Sequence, residues 1–185
     1  MQQLSTTLKS ECSEGFTRLA TVAILVAYFL PTQFFGENQN MSVDAKAEVV
    51  IERSRSEVAA VMFDAKSDVL WITGLKNSFP QTSGLMTKGF KFERVGTLLG
   101  RYYSCIYLVT RSEDETFVEI AADEPFQMKI RYDLADADGG TKTSVRIQSI
   151  GDTPYTLPPA SLNKAIKEWI EGDLQRLKKR LENES

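Results

Sequence analysis

The chain has 185 residues, 42% of them hydrophobic, and a formal charge of -3. That size and balance suit one globular domain with a real core and argue against a nucleic-acid binder. Histidine is absent, which removes Ser-His and Cys-His nucleophilic arrangements and the commonest metal ligand, so proton chemistry would fall to Asp, Glu, Lys or Tyr. Cys12 and Cys105 lie far apart without zinc-type or redox spacing, and no cofactor is expected.

Residues 1–40 differ in kind from residues 41–185. Leu19 to Leu30 is an apolar run of signal-peptide length, and a membrane span of about 20 residues is reached only by counting from Phe16 to Phe35. Lys9 and Arg18 are balanced by Glu11 and Glu14 and no small-x-small cleavage site follows, which argues against secretion. Two further readings stand. In one, residues 16–35 are a signal anchor and the protein is membrane-associated. In the other, Met41 is the true start and the protein is cytoplasmic.

From Ala45 to Arg53 alternation predicts a strand. Ser54 and Glu57 have capping-box spacing ahead of Val58, Val61 and Met62, which predicts a short helix. A second helical turn carries Asp68 to Trp71 and ends at Gly74, suited to a left-handed cap. Strands follow at Leu75–Gln81, Lys88–Thr97, Gly100–Arg111, Thr116–Asp123, Phe126–Ala135 and Thr141–Ile150, separated by Gly, Pro and Asp turn signals. They read as an antiparallel meander. Phe126, Met128, Ile130, Tyr132 and Leu134 alternate with polar residues, the pattern of one buried and one wet face. Val118, Ile120, Phe90 and Phe92 share that inner parity. In the strand bounded by Arg101 and Arg111, the two arginines share parity with Tyr103, Cys105, Tyr107 and Val109. Tyr102, Ser104, Ile106 and Leu108 are therefore expected to point inward.

The chain closes on Pro158 to Leu181, where Leu162, Ile166, Trp169, Ile170, Leu174, Leu177 and Leu181 recur at three-and-four spacing. The prolines suit the first helical turn, with Ser161 a competing cap, and the basic residues from Arg176 to Arg180 suit the negative end of the helix dipole. Gly172 interrupts the helix, which close packing against a strand would explain.

This order of β-α-α, strand meander and long C-terminal helix resembles the START-like, or SRPBCC, superfamily and its polyketide cyclase/dehydrase-like group. The resemblance is carried by Ser56-Glu57-Val58, Trp71, Gly89 through Gly100-Arg101, Pro125, Gly140-Thr141 and Leu174 to Glu182, and spans roughly residues 45–183. It implies an α+β helix-grip fold of the Bet v 1 type, in which a curved sheet encloses an apolar pocket under the helix. None of these residues is a catalytic signature.

Candidate cavity walls follow from parity: Phe90 and Phe92, then Tyr102, Ser104 and Ile106, then Met128, Ile130 and Tyr132. Trp71 is expected near the mouth and Trp169 on the helix. Each is also the kind of residue that simply fills a core. Arg94, Tyr102, Ser104 and Tyr132 are the polar groups assigned an inward direction. Asp64, Asp68, Asp123, Glu124, Asp136 and Asp138 fall near turns, where solvated carboxylates are the ordinary case. Three function classes are compatible with this pattern: binding or transport of a hydrophobic small molecule or lipid, a polyketide cyclase/dehydratase-like enzyme, and a non-catalytic scaffold with a filled core. Tyr103, Tyr107, Val109 and Phe117, assigned outward, suggest a weak homodimer or a membrane-facing surface.

The change of composition at Met41 yields a first prediction. A fragment of residues 41–185 should unfold cooperatively on heating with a midpoint close to that of the full chain; a non-cooperative melt would show that residues 1–40 belong to the fold.

Overall fold

The computed structural model describes residues 43–183. The hydrophobic N-terminal segment, with the anchor, cleavage and late-start readings attached to it, lies outside them. Among the described residues, seven strands form one antiparallel sheet: β1 (Asp44–Ile51), β2 (Leu75–Pro80), β3 (Lys91–Leu98), β4 (Arg101–Glu113), β5 (Phe117–Ala122), β6 (Met128–Ala137) and β7 (Gly140–Ser149). Their order is β1-β7-β6-β5-β4-β3-β2, so β2 to β7 form a meander and β1 pairs with the last strand. Two short helices, α1 (Arg55–Met62) and α2 (Asp68–Trp71), link β1 to β2 through a 3-10 turn at Ala65–Ser67, and α3 (Pro159–Asn183) follows β7. The result is an α+β helix-grip fold, a curled sheet closed by a long C-terminal helix. Among the described residues no helix is long and apolar enough to cross a membrane.

Local chemistry sets the element ends. The Ser54 N–H donates to Glu57 Oε2 at 2.9 Å and the Glu57 N–H to Ser54 Oγ at 3.4 Å, closing the capping box that starts α1. Helix α2 ends at Trp71 with Ile72 as its cap, while Gly74, at φ 75°, turns the chain into β2 rather than capping the helix. The Pro158 carbonyl accepts from the Leu162 N–H at 2.9 Å, so the prolines occupy the helix start and Ser161 lies inside the first turn. A Cβ on Gly172 would meet nothing within 4 Å, so no strand packing explains this glycine.

The inner face of the sheet and α3 share one core. Met128, Ile130, Tyr132 and Leu134 are buried along β6, and α3 buries Leu162, Ile166, Ile170, Leu174 and Leu177 against the sheet. Five such side chains at about 1.5–3 kcal/mol each give an upper estimate on the order of 10 kcal/mol. The helix is also laced to β1. The Asp44 N–H donates to Asn163 Oδ1 at 2.7 Å, Lys178 Nζ to the Val50 carbonyl at 2.8 Å, and the Glu52 N–H to Glu182 Oε1 at 2.8 Å.

Strand β4 reverses the sequence expectation. Tyr103, Tyr107 and Val109 are buried, whereas Tyr102, Ser104, Ile106 and Leu108 are exposed, Tyr102 at 64% and Ile106 at 55%. The cause is a bulge. Val109 pairs with Ile120 and Arg111 with Glu119, which leaves Thr110 as the extra residue, and one inserted residue flips every side chain beyond it. Arg111 therefore leaves on the outer face although Val109, two residues earlier, is inside. Arg101, the first residue of the strand, is exposed at its end and does not report the face. The residues expected to form a homodimer or membrane surface are displaced by the same correction, and Tyr102, Ile106 and Leu108 stand outward in their place. Tyr103, Tyr107 and Val109 are interior, and Phe117, which does face outward, lies under the guanidiniums of Arg131 at 4.1 Å and Arg111 at 5.5 Å.

The β6–β7 turn separates two costs of adding a methyl group. Gly139 has φ 82° and nothing lies within 4 Å of where a Cβ would stand, so Gly139→Ala bears only the left-handed backbone, about 1–2 kcal/mol. At Gly140, also at positive φ, the Cβ would collide with the Ile51 carbonyl oxygen, which adds about 1–3 kcal/mol of overpacking. In urea titrations Gly140→Ala should lose clearly more stability than Gly139→Ala; equal losses would remove the claim that β1 is held tightly against this turn.

Candidate functional site

A cavity of about 40 Å³ lies between the inner face of the sheet and α3. Arg94 of β3, Tyr103 and Tyr107 of β4, Met128, Ile130 and Tyr132 of β6, and Val145 and Ile147 of β7 line it from the sheet. Trp169, Ile170 and Asp173 contribute from α3, Trp71 and Ile72 from the end of α2, and Leu98 and Pro125 from strand ends and turns. These residues meet because the meander stacks β3, β4, β6 and β7 with one parity inward, while the helical spacing of Trp169, Ile170 and Asp173 turns all three toward that face.

The polar part of the site is built on Arg94, which is 3% exposed. Its Nε donates to Asp68 Oδ2 at 2.9 Å, its Nη2 lies 2.8 Å from the same oxygen, and Nη2 also donates to the Tyr132 hydroxyl at 3.1 Å. The guanidinium lies over the rings of Phe92 at 5.0 Å and Tyr107 at 4.9 Å, where the ring quadrupoles favour a cation. Burial pushes the Asp68 carboxyl up to about 6 against the pull of Arg94. Burial works against the Arg94 charge as well, but Asp68 beside it pulls the other way and the guanidinium stays protonated. The Tyr132 hydroxyl is pushed by burial up to about 12 and the Tyr103 and Tyr107 hydroxyls also upward, so all three are neutral.

Asp173 is the carboxylate that itself lines the cavity, Asp68 lying behind Arg94. Its Oδ1 accepts from the Thr73 N–H at 2.7 Å, the Thr73 hydroxyl at 2.5 Å and Arg176 Nη2 at 2.9 Å. Arg176 Nε donates in turn to the Trp71 carbonyl at 3.1 Å, so the Asp173–Arg176 pair clamps the end of α2 to α3. Burial raises the Asp173 carboxyl above its ordinary range despite these donors.

The structure brings together Trp71, Met128, Ile130, Tyr132 and Trp169 from the expected wall. Phe92 is fully buried behind Arg94, stacked on Tyr107 at 5.5 Å, and Phe90 packs against Phe92 at 6.1 Å, so both support the site without lining it. Tyr102, Ser104 and Ile106 are not in it. They face outward with the rest of their parity, and Ser104 donates to Glu93 Oε1 at 2.6 Å on the outer face. Their places are taken by Tyr103 and Tyr107. Asp173 was missed, although it follows Trp169 by four residues and Ile170 by three on the apolar face of α3, and Asp68, expected to be a solvated turn carboxylate, is buried as the partner that an inward Arg94 demands.

Removing one member of a buried pair strands the other. Asp68→Asn should cost about 3 kcal/mol or more, and Asp68→Asn combined with Arg94→Met should cost less than the two single losses added together. Urea unfolding of the four proteins measures that coupling; strict additivity would mean that the pair is not the unit described.

No family model and no curated protein matches the sequence. Solved structures do match the fold. A START superfamily protein from Mycobacterium smegmatis is 13% identical with a TM-score of 0.65, over 77% of this chain and 99% of that one. Ara h 8.0201 is 13% identical with a TM-score of 0.57, over 76% of this chain and 97% of that one. The di-domain ARO/CYC StfQ from the steffimycin biosynthetic pathway is 10% identical with a TM-score of 0.62, over 76% of this chain and 51% of that one. The likeness is one of fold, at identities too low for any closer tie, and the chain has the START-like helix-grip fold.

Proposed function

We propose that the domain binds an apolar small molecule or lipid in the cavity between the sheet and α3. The observation that carries this reading is the composition of the wall: aliphatic and aromatic side chains from four strands and the helix, with a few convergent polar groups, as ligand sites are built. The free volume decides how binding would proceed. About 40 Å³ holds roughly two or three waters, whereas a drug-sized ligand needs about 300 Å³ or more. Occupancy therefore requires a wall to yield. The strands are held by their ladders and Arg94 by its ion pair, which leaves half-buried Trp169 as the side chain able to swing aside.

Two other readings each have one observation in their favour. The small free volume favours a scaffold with a filled core. Asp173, a buried carboxylate on the wall with a raised pKa, favours proton chemistry of the cyclase/dehydratase type. Its existing bonds to Thr73 and Arg176 account for it equally well as a clamp, so binding is the reading supported best.

The test uses the uncharged fluorophore N-phenyl-1-naphthylamine. Saturable binding to the parent protein should weaken at least tenfold in Ile130→Trp with little change in unfolding midpoint, and should strengthen in Trp169→Ala. Absence of saturable binding to parent and Trp169→Ala alike, with Ile130→Trp destabilised by about 1–3 kcal/mol through overpacking, would establish the filled core instead.

A further inference from the structure

The chemistry of the wall also selects among apolar ligands, given that the cavity is a binding site as proposed above. Every formal charge at the cavity already has a partner. Arg94 is matched by Asp68 at 2.8 Å and Asp173 by Arg176 at 2.9 Å. Neither cation is left to neutralise a ligand carboxylate, and a charge buried without a counter-ion is strongly disfavoured. Asp173 would in addition repel an anion brought under α3.

The wall also leaves hydrogen-bond donors unused, whereas the buried oxygens without a partner among the described residues, Asp68 Oδ1 and Thr143 Oγ1, belong to residues that do not line the cavity. Trp71 is 2% exposed and its Nε1–H has no partner among the described residues. The Tyr132 hydroxyl accepts from Arg94 Nη2, so its own proton points elsewhere, and among the described residues it meets no acceptor. The two rings are neighbours, packed edge to face with centroids 6.1 Å apart, and both residues line the cavity, so a ligand oxygen that opened the wall between them would meet both donors. A buried donor without an acceptor is a cost that a suitable ligand would relieve. We infer that the ligand is uncharged and carries a hydrogen-bond-accepting oxygen, of carbonyl type, that reaches the Trp71–Tyr132 corner.

Three probes of matched shape test this: acetophenone, its hydrocarbon isostere α-methylstyrene, and benzoate. Dissociation constants by ligand-observed NMR should place acetophenone at least tenfold tighter than the other two. Trp71→Phe and Tyr132→Phe should each cut the preference of acetophenone over α-methylstyrene several-fold, the ratio of the two affinities within each variant being the readout; the tyrosine variant keeps the test open should the tryptophan variant fold poorly. Equal binding of ketone and hydrocarbon, or tightest binding by benzoate, would overturn the inference and leave the cavity reading standing. Failure of all three probes to bind parent and Trp169→Ala protein would remove both.

Discussion

A guanidinium almost without water contact constrains more of this fold than any other single group. Arg94 can sit inside only if a carboxylate and several polarisable neighbours come with it. Asp68 supplies the charge, which fixes α2 against β3, and Ser78 Oγ donates to the same carboxylate oxygen at 3.3 Å, which fixes β2. Tyr132 and the rings of Phe92 and Tyr107 complete the shell from β6, β3 and β4. Apolar residues of similar volume could have filled this space with no loss of stability. The ion pair brings geometry: it ties a short helix of four residues, too short to hold its own position, to β3, the strand next to the β2 edge of the sheet.

That geometry divides the cavity into a stiff side and a soft side. Arg94 and Tyr132 cannot move without breaking bonds to charged groups, which are the costly ones to lose. The opposite side is held by fewer polar links. Tyr155 donates from its hydroxyl to the Leu98 carbonyl at 2.9 Å and packs edge to face on Phe126 at 6.1 Å, and Trp169 is only half-buried. Of the lining residues, Leu98 and Trp169 belong to this side, where one hydrogen bond to the carbonyl of the last β3 residue and side-chain packing are what would have to yield.

The elements with one wet face and one dry face were legible. Strand β6 alternates over its whole length, and the apolar stripe of α3 repeats through seven positions, so both their existence and their buried faces followed from periodicity. Strand β4 failed because both of its faces carry large apolar residues, and the arginines used as anchors lay at the frayed start and beyond a bulge. A bulge has no reliable single-sequence signature. Asp68 failed for a different reason: a carboxylate beside turns is usually solvated, and only its pairing with Arg94, 26 residues away, makes burial tolerable. Long-range pairing of charges is the part of a site that periodicity does not record, although an arginine on an inner parity announces that a partner must exist.

The two edges of the sheet show how α3 serves structure as well as site. Strand β2, at one edge, is short, is interrupted by a register shift between Leu75 and Asn77, carries exposed Lys76 and ends on Pro80. These are features that discourage a further strand from pairing. Strand β1, at the other edge, carries exposed Lys46 but has eight residues in unbroken register with β7, with neither a register shift nor a proline. Its protection comes from α3, whose Asn163, Lys178 and Glu182 bond to backbone groups of Asp44, Val50 and Glu52. The first and last of these contacts are 19 helical residues apart, from 163 to 182, so the helix is pinned along nearly the whole of β1. A helix held at both ends in this way can admit a ligand only by moving side chains from its middle, and the middle is where Trp169 and Asp173 face the cavity.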